Sequence, residues 1–126
     1  MLKRDVPEGA AMKKNLFTSQ LGEYFDTFLP EIHRSRENTI SAYADAFAVF
    51  FQFLSEQRQL PHYRVIYKQL SIALFEDFVI WMKNERGYSN SSVRQRMSAI
   101  VAFLKYASKR EMTALTAYSS AKRMPR

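Results

Sequence analysis

Apolar side chains recur three and four residues apart along most of this chain, and that spacing constrains it to helices. The clearest stretch is Ile40, Tyr43, Ala44, Phe47, Phe50, Phe51 and Leu54, a stripe wide enough to face a core. Val49 and Phe53 fall outside it. A helix with apolar residues on two sides needs two contact surfaces, so this second helix is expected to sit centrally. Ser35 or Asn38 is its expected cap, and residue 56 or 57 its end.

The same period marks three more helices. Leu21, Phe25, Phe28 and Leu29 predict a first helix over residues 18–29, capped by Thr18 or Ser19 and stopped by Pro30. Leu74, Phe75, Phe78, Val79, Trp81 and Met82 predict a third, from a Ser71 cap to about residue 85. Gly87 then supplies a left-handed stop. Val93, Met97, Ile100, Val101 and Leu104 predict a fourth, starting within the polar run 89–92 and ending near residue 109. Pro61 breaks the connection 58–70, where Val65, Ile66 and Tyr67 fit a short extended piece.

The 126 residues suit one domain, with enough chain to bury roughly two-thirds of its surface. Residues 1–14, broken by Pro7 and Gly9, have no periodicity and are expected to be a flexible tail. Residues 15–112 form the helical domain. Residues 113–126 lose apolar periodicity and are expected to be a linker. Cysteine is absent, which removes disulfides, thiolate metal ligands and cysteine nucleophiles together. The longest apolar runs are six residues, at 46–51 and 99–104, far short of the about 18–20 a spanning helix needs. With no N-terminal apolar segment, a cytoplasmic protein without membrane contact is expected.

The formal net charge of +7 is unevenly distributed. Residues 15–57 carry two Arg against six carboxylates, whereas residues 89–126 carry eight Lys and Arg against one Glu. A one-sided basic excess points to a polyanionic partner. On a wheel of ~100° per residue, Val93, Met97, Ile100 and Leu104 define the buried side of the fourth helix. Arg94, Ser98, Lys105 and Lys109 run along one flank, Arg96 lies on the other, and Gln95 points outward. Asn90, Ser91 and Ser92 surround the helix start, where backbone N–H groups are free to meet an anion. Arg34, Ser35, Arg36, Asn38 and Thr39 repeat that chemistry at the start of the second helix. Two such starts suit two stretches of phosphate backbone, with Arg94 or Gln95 placed to reach base edges. Each of these residues also has a plainer role, as a cap or a solvated charge.

Other chemistry is missing. His33 and His62 have no acidic partner at ligand spacing, so neither a metal nor a cofactor is expected. No phosphate-loop, dinucleotide or nucleophile-elbow motif occurs. Glu76 and Asp77 are adjacent on a helix and diverge, and no Arg, His and Lys cluster surrounds Tyr43, Tyr88 or Tyr106. No catalysis and no small-molecule substrate is expected of this chain alone.

In order, three segments resemble the core-binding domain of the tyrosine recombinases, the phage integrases. Residues 35–54 resemble its second helix, with Thr39 and Tyr43 at the motif's Thr and Tyr places and Phe47 at a usual Leu. Residues 70–82 resemble its third helix. Residues 88–107 resemble its fourth, with Ser92 at a usual Thr, Arg96 at the usual Arg and Met97 at a usual Leu. The resemblance spans about residues 16–112. It implies an all-α, four-helix, SAM-like orthogonal bundle that clamps one side of duplex DNA at a recombination core site. In that family a following catalytic domain cleaves and rejoins the strands, and protomers assemble on the DNA. The resemblance therefore implies a DNA-binding fragment whose catalytic residues lie elsewhere. Thr39, Tyr43, Ser92 and Arg96 come from the motif; Arg36, Asn38, Asn90, Ser91, Arg94, Gln95, Ser98, Lys105 and Lys109 come from the wheel and the helix starts. Two other readings stand beside this one. A helical protein-interaction module would bury Phe53 against a partner, and a small helix-turn-helix regulator would use the short turn before the fourth helix.

Overall fold

The structure, a computed structural model, describes residues 15–124. The expected tail 1–14 lies outside the described residues. Among them every regular element is helical. Helix α1 (Leu16–Glu23) runs on without a break into a π-helical segment, Tyr24–Ile32. Four more helices follow: α2 (Glu37–Arg58), α3 (Ile72–Glu85), α4 (Asn90–Ser108) and α5 (Ala114–Lys122). No helix of the described residues is long and apolar enough to cross a membrane.

The first helix starts earlier and ends later than its sequence signals suggest. Asn15, not Thr18 or Ser19, caps it, accepting from the Thr18 backbone N–H at 2.9 Å. The Asn15 amide also donates to the Val65 carbonyl, tying the helix start to the α2–α3 connection. Pro30 does not stop the chain, because the widened π-helical turns carry it through to Ile32. A proline lacks the N–H an α-helical turn needs, and longer-range bonds, such as His33 N–H to the Phe28 carbonyl at 2.7 Å, close the turn around it.

Helix α2 has the two buried sides expected of it. Phe47 packs edge-on against Phe103 of α4, while Phe53 meets Phe78 and Trp81 of α3. Val49 and Phe53 are both buried. Neither Ser35 nor Asn38 caps the helix; the Arg36 backbone takes that place without a side-chain bond. Gln59 ends it in the left-handed region at φ 50°. The connection holds two short 3-10 turns, His62–Arg64 and Tyr67–Gln69; of the expected extended piece, Val65 and Ile66 are extended between them and Tyr67 belongs to the second turn. Val65, Tyr67 and Leu70 anchor it in the core, and the Tyr67 hydroxyl donates to buried Gln20 at 2.6 Å.

Helices α3 and α4 follow their sequence signals. Ser71 caps α3, Ser89 caps α4, and Gly87 between them sits at φ 67°. Helix α4 carries nine buried residues and packs against α2, α3 and α5. The core between them is rich in aromatic side chains, with Phe17, Phe50, Phe75, Phe78 and Phe103 at most 1% exposed. Burial of each such side chain contributes about 1.5–3 kcal/mol.

The expected linker is the main departure. Residues 114–122 form α5, which packs chiefly on α4 and buries Ala114, Ala117 and Ala121, with Met124 buried beyond its end. Three small residues at helical spacing make a face that apolar bulk does not reveal. The bundle therefore has five helices rather than four.

Candidate functional site

The start of α2 and the outer side of α4 face one another across an open depression. From α2 it is lined by Asn38, Thr39, Ala42, Tyr43 and Asp45, and from α4 by Ser91, Arg94, Gln95, Arg96 and Ser98. Arg94, Gln95 and Ser98 are exposed, as are Asn38 and Thr39. Arg96 and Arg94 face the same depression although the helical wheel sets them on opposite flanks, because the depression spans that whole side of α4.

Arg96 is the most constrained of these side chains. Its Nη2 donates to the Asp45 carboxylate at 2.7 Å, and its guanidinium lies over the Tyr88 ring at 4.2 Å. Nη1 reaches the Ser92 carbonyl at 3.4 Å. Its Nε is buried without a partner among the described residues. The arginine thus holds α2 to α4, and its charge is largely spent within the protein. Arg94, Lys105 and Lys109 are exposed and form no ion pair among the described residues.

A second depression continues from the first, sharing Thr39 and Tyr43 with it. Its far wall is the C-terminal half of α4, with Lys105, Tyr106, Lys109 and the following Arg110. Its floor comes from the π-helical segment, through Tyr24, Phe28 and Leu29, and its rim from His33 and Ser35. Arg110 stacks on the Tyr106 ring at 3.8 Å. Burial raises the Tyr106 hydroxyl above its ordinary pKa; the Arg110 charge opposes this, while Glu23 adds to it. Burial raises Tyr24 as well, reinforced by Tyr43 and Tyr106. Both hydroxyls therefore stay protonated and able to donate at neutral pH.

Ten of the thirteen residues singled out from the sequence line these two depressions. Arg36, Asn90 and Ser92 line neither. Arg36 is the backbone cap of α2, and Ser92 has its N–H bonded to Ser89 and its carbonyl to Arg96. The sequence reading passed over Tyr24, Phe28, His33 and Arg110. Tyr24 is a core residue and Phe28 packs against the core, and both also border the second depression from beneath. Among the described residues no group of three or more His, Asp or Glu is arranged to hold a metal.

The helical bundle thus carries a polar depression between its second and fourth helices, with Arg94 and Arg96 on its wall. The family model described as the phage integrase SAM-like domain matches residues 20–124, and the chain belongs to that family. The match takes in α5, so the fifth helix is part of the domain. Comparison with curated proteins gave no match, and comparison with solved structures gave none.

Proposed function

We propose that this domain is the duplex-binding part of a tyrosine site-specific recombinase. It grips one side of the DNA with α2 and α4, while strand cleavage and rejoining belong to a catalytic domain of the parent protein. The observation that carries this reading is the convergence of two polar helix starts and the exposed Arg94, Lys105 and Lys109 on one continuous side of the molecule. Their cations neutralise phosphates, and the hydroxyls and amides of Asn38, Thr39, Ser91 and Ser98 add neutral hydrogen bonds to the backbone. Gln95 and Arg94, exposed at the mouth, have the donors and reach for base edges in a major groove.

The test is anisotropy of a labelled 30-mer duplex titrated with the protein at several salt concentrations. The expected result is binding whose logarithm falls with log salt by about 0.9 per phosphate neutralised. No binding at low salt overturns the reading. The alternative of a protein-interaction module loses its main support, since Phe53 is 1% exposed and has no surface to offer a partner.

A further inference from the structure

The second depression holds a feature that backbone clamping does not use. Tyr24, Phe28 and His33 form a ladder of near-parallel rings: Tyr24 on Phe28 at 5.7 Å and 13°, then Phe28 on His33 at 5.7 Å and 25°. The ladder ends at His33, which is exposed. A hydrogen bond of 3.0 Å between His33 Nδ1 and Ser35 Oγ fixes the plane of that last ring. Lys105 and Lys109 stand on the opposite wall, Arg110 reaches over the Phe28 and Tyr106 rings, and none of the three pairs with a carboxylate among the described residues. The half-buried Tyr43 ring closes the side shared with the first depression. The space has a volume of about 460 Å³, within the roughly 300–1,000 Å³ usual for ligand pockets.

An exposed flat ring at the end of a stack, near two lysines and an arginine without carboxylate partners among the described residues, is complementary to a planar ring that carries an anion. Bases stack on aromatic side chains whatever their identity, because each has a π-face. Lysine and arginine beside the stack supply the phosphate partner. We propose that this pocket binds a single unstacked nucleotide, its base on His33 as the next ring of the ladder and its phosphate among Lys105, Lys109 and Arg110. The unit is a nucleoside monophosphate, either free or within an unpaired strand. The site goes beyond duplex clamping, which needs phosphates on the outside of a paired helix and no open base.

The experiment follows 2-aminopurine fluorescence, which stacking quenches. Four probes are titrated with the folded protein: 2-aminopurine riboside 5′-monophosphate, the riboside without phosphate, a single strand containing one 2-aminopurine, and a duplex in which that base is paired. Saturable quenching of the monophosphate or the single strand is expected, at least tenfold tighter than with the bare riboside, and none with the paired base. Quenching by the free monophosphate identifies a nucleotide site; quenching by the single strand alone identifies a strand site. His33→Ala removes the quenching. Lys109→Gln, a change at an exposed side chain, weakens binding several-fold. Arg58→Gln, far from the pocket in its pair with Asp77, changes nothing. Circular dichroism checks that each variant keeps its helices. The proposal is overturned if no probe is quenched, if the bare riboside binds as well as the monophosphate, or if Lys109→Gln and His33→Ala behave as the parent chain does. Duplex anisotropy in parallel separates the two ideas. Duplex binding without quenching removes the nucleotide site alone, and quenching without duplex binding removes the clamp reading alone.

Discussion

Arg96 and Asp45 join the two helices of the candidate interface, with Nη2 of the arginine on α4 donating to Oδ2 of the aspartate on α2 at 2.7 Å. The partners are unequal. The Arg96 side chain is 19% exposed and the Asp45 side chain 57%. Water screens the aspartate, so the ion pair itself is worth at most about 1 kcal/mol. Arg96 has more to lose, since its guanidinium lies over the Tyr88 ring, 4.2 Å from the centroid.

Urea unfolding is expected to rank the two ends of this contact. Asp45→Asn costs under about 1 kcal/mol. Arg96→Ala costs about 1–2 kcal/mol, because it removes the ring contact and the packed aliphatic stem as well. Arg96→Lys recovers little, since an ammonium cannot lie flat on a ring and bond a carboxylate at its edge. Equal losses from Asp45→Asn and Arg96→Ala would show the carboxylate, not Tyr88, to be the anchor.

Phe53 separates a core position from a docking position. It contacts Phe78 and Trp81 with ring centroids 5.1 and 5.6 Å away. Phe53→Glu places a carboxylate among aromatic rings at a 1% exposed position, with the Arg58 guanidinium over that site already paired to Asp77, at a cost of about 3 kcal/mol or more. The variant is expected to lose cooperative unfolding in a thermal melt. Ile80→Glu, on the same side of the bundle but 55% exposed, stays within about 0.5 kcal/mol of the parent. A folded Phe53→Glu monomer would contradict the observed packing.

The sequence was most readable where one residue decides the local structure. Ser71, Ser89 and Gly87 each act through a single bond or a single dihedral, and each stands where its type predicts. Pro30 misleads for the opposite reason, since its effect depends on whether neighbouring carbonyls find longer-range donors. Gln59 and Arg34 both occupy the left-handed region, at φ 50° and 58°, without the glycine that normally announces it. Helix α5 hides because Ala114, Ala117 and Ala121 bury little bulk. The first depression was legible from helix faces alone, because both its walls are regular α-helices. The second was not, since its floor is a π-helical segment that runs through Pro30, where the sequence predicts the first helix to stop.

The two kinds of left-handed residue give a paired test. Gly87, at φ 67°, has open space where a Cβ would lie, so Gly87→Ala reports conformational strain alone and costs about 1 kcal/mol. At Gln59 the penalty is already present, and Gln59→Gly relieves it. Its side chain is exposed and bonds only the Glu56 carbonyl, at 3.2 Å, so a gain of up to about 1 kcal/mol is expected. Chemical denaturation of the two variants is expected to show opposite signs.

Alkaline pH is expected to destabilise the domain through its buried tyrosines. Burial raises the pKa of both Tyr24 and Tyr67 from the ordinary 10.0. Below pH 10 these groups are protonated in both folded and unfolded chains, and they add no pH dependence. Above it the unfolded chain loses their protons while the folded chain keeps them. The folded state then binds more protons, and stability falls as pH rises. Melting temperatures between pH 9 and 11 are expected to drop, and Tyr67→Phe to reduce that slope. An unchanged slope in Tyr67→Phe would mean that this hydroxyl does not contribute.

Charge on the interface is separable from stability, because its free cations are not part of the packing. Arg94, Lys105 and Lys109 are exposed and unpaired among the described residues. Replacing all three by Ala removes no core contact and is expected to leave the melting temperature within a few degrees of the parent. Arginine and lysine that meet phosphates set the number of counterions released, so each lost contact lowers the salt slope by about 0.9. The triple variant is therefore expected to bind duplex DNA with a slope shallower by up to about 2.7. Arg96→Ala provides the contrast: with its charge committed to Asp45, it is expected to change stability more than slope. A triple variant that binds with the parent's slope would move the duplex to another face of the protein.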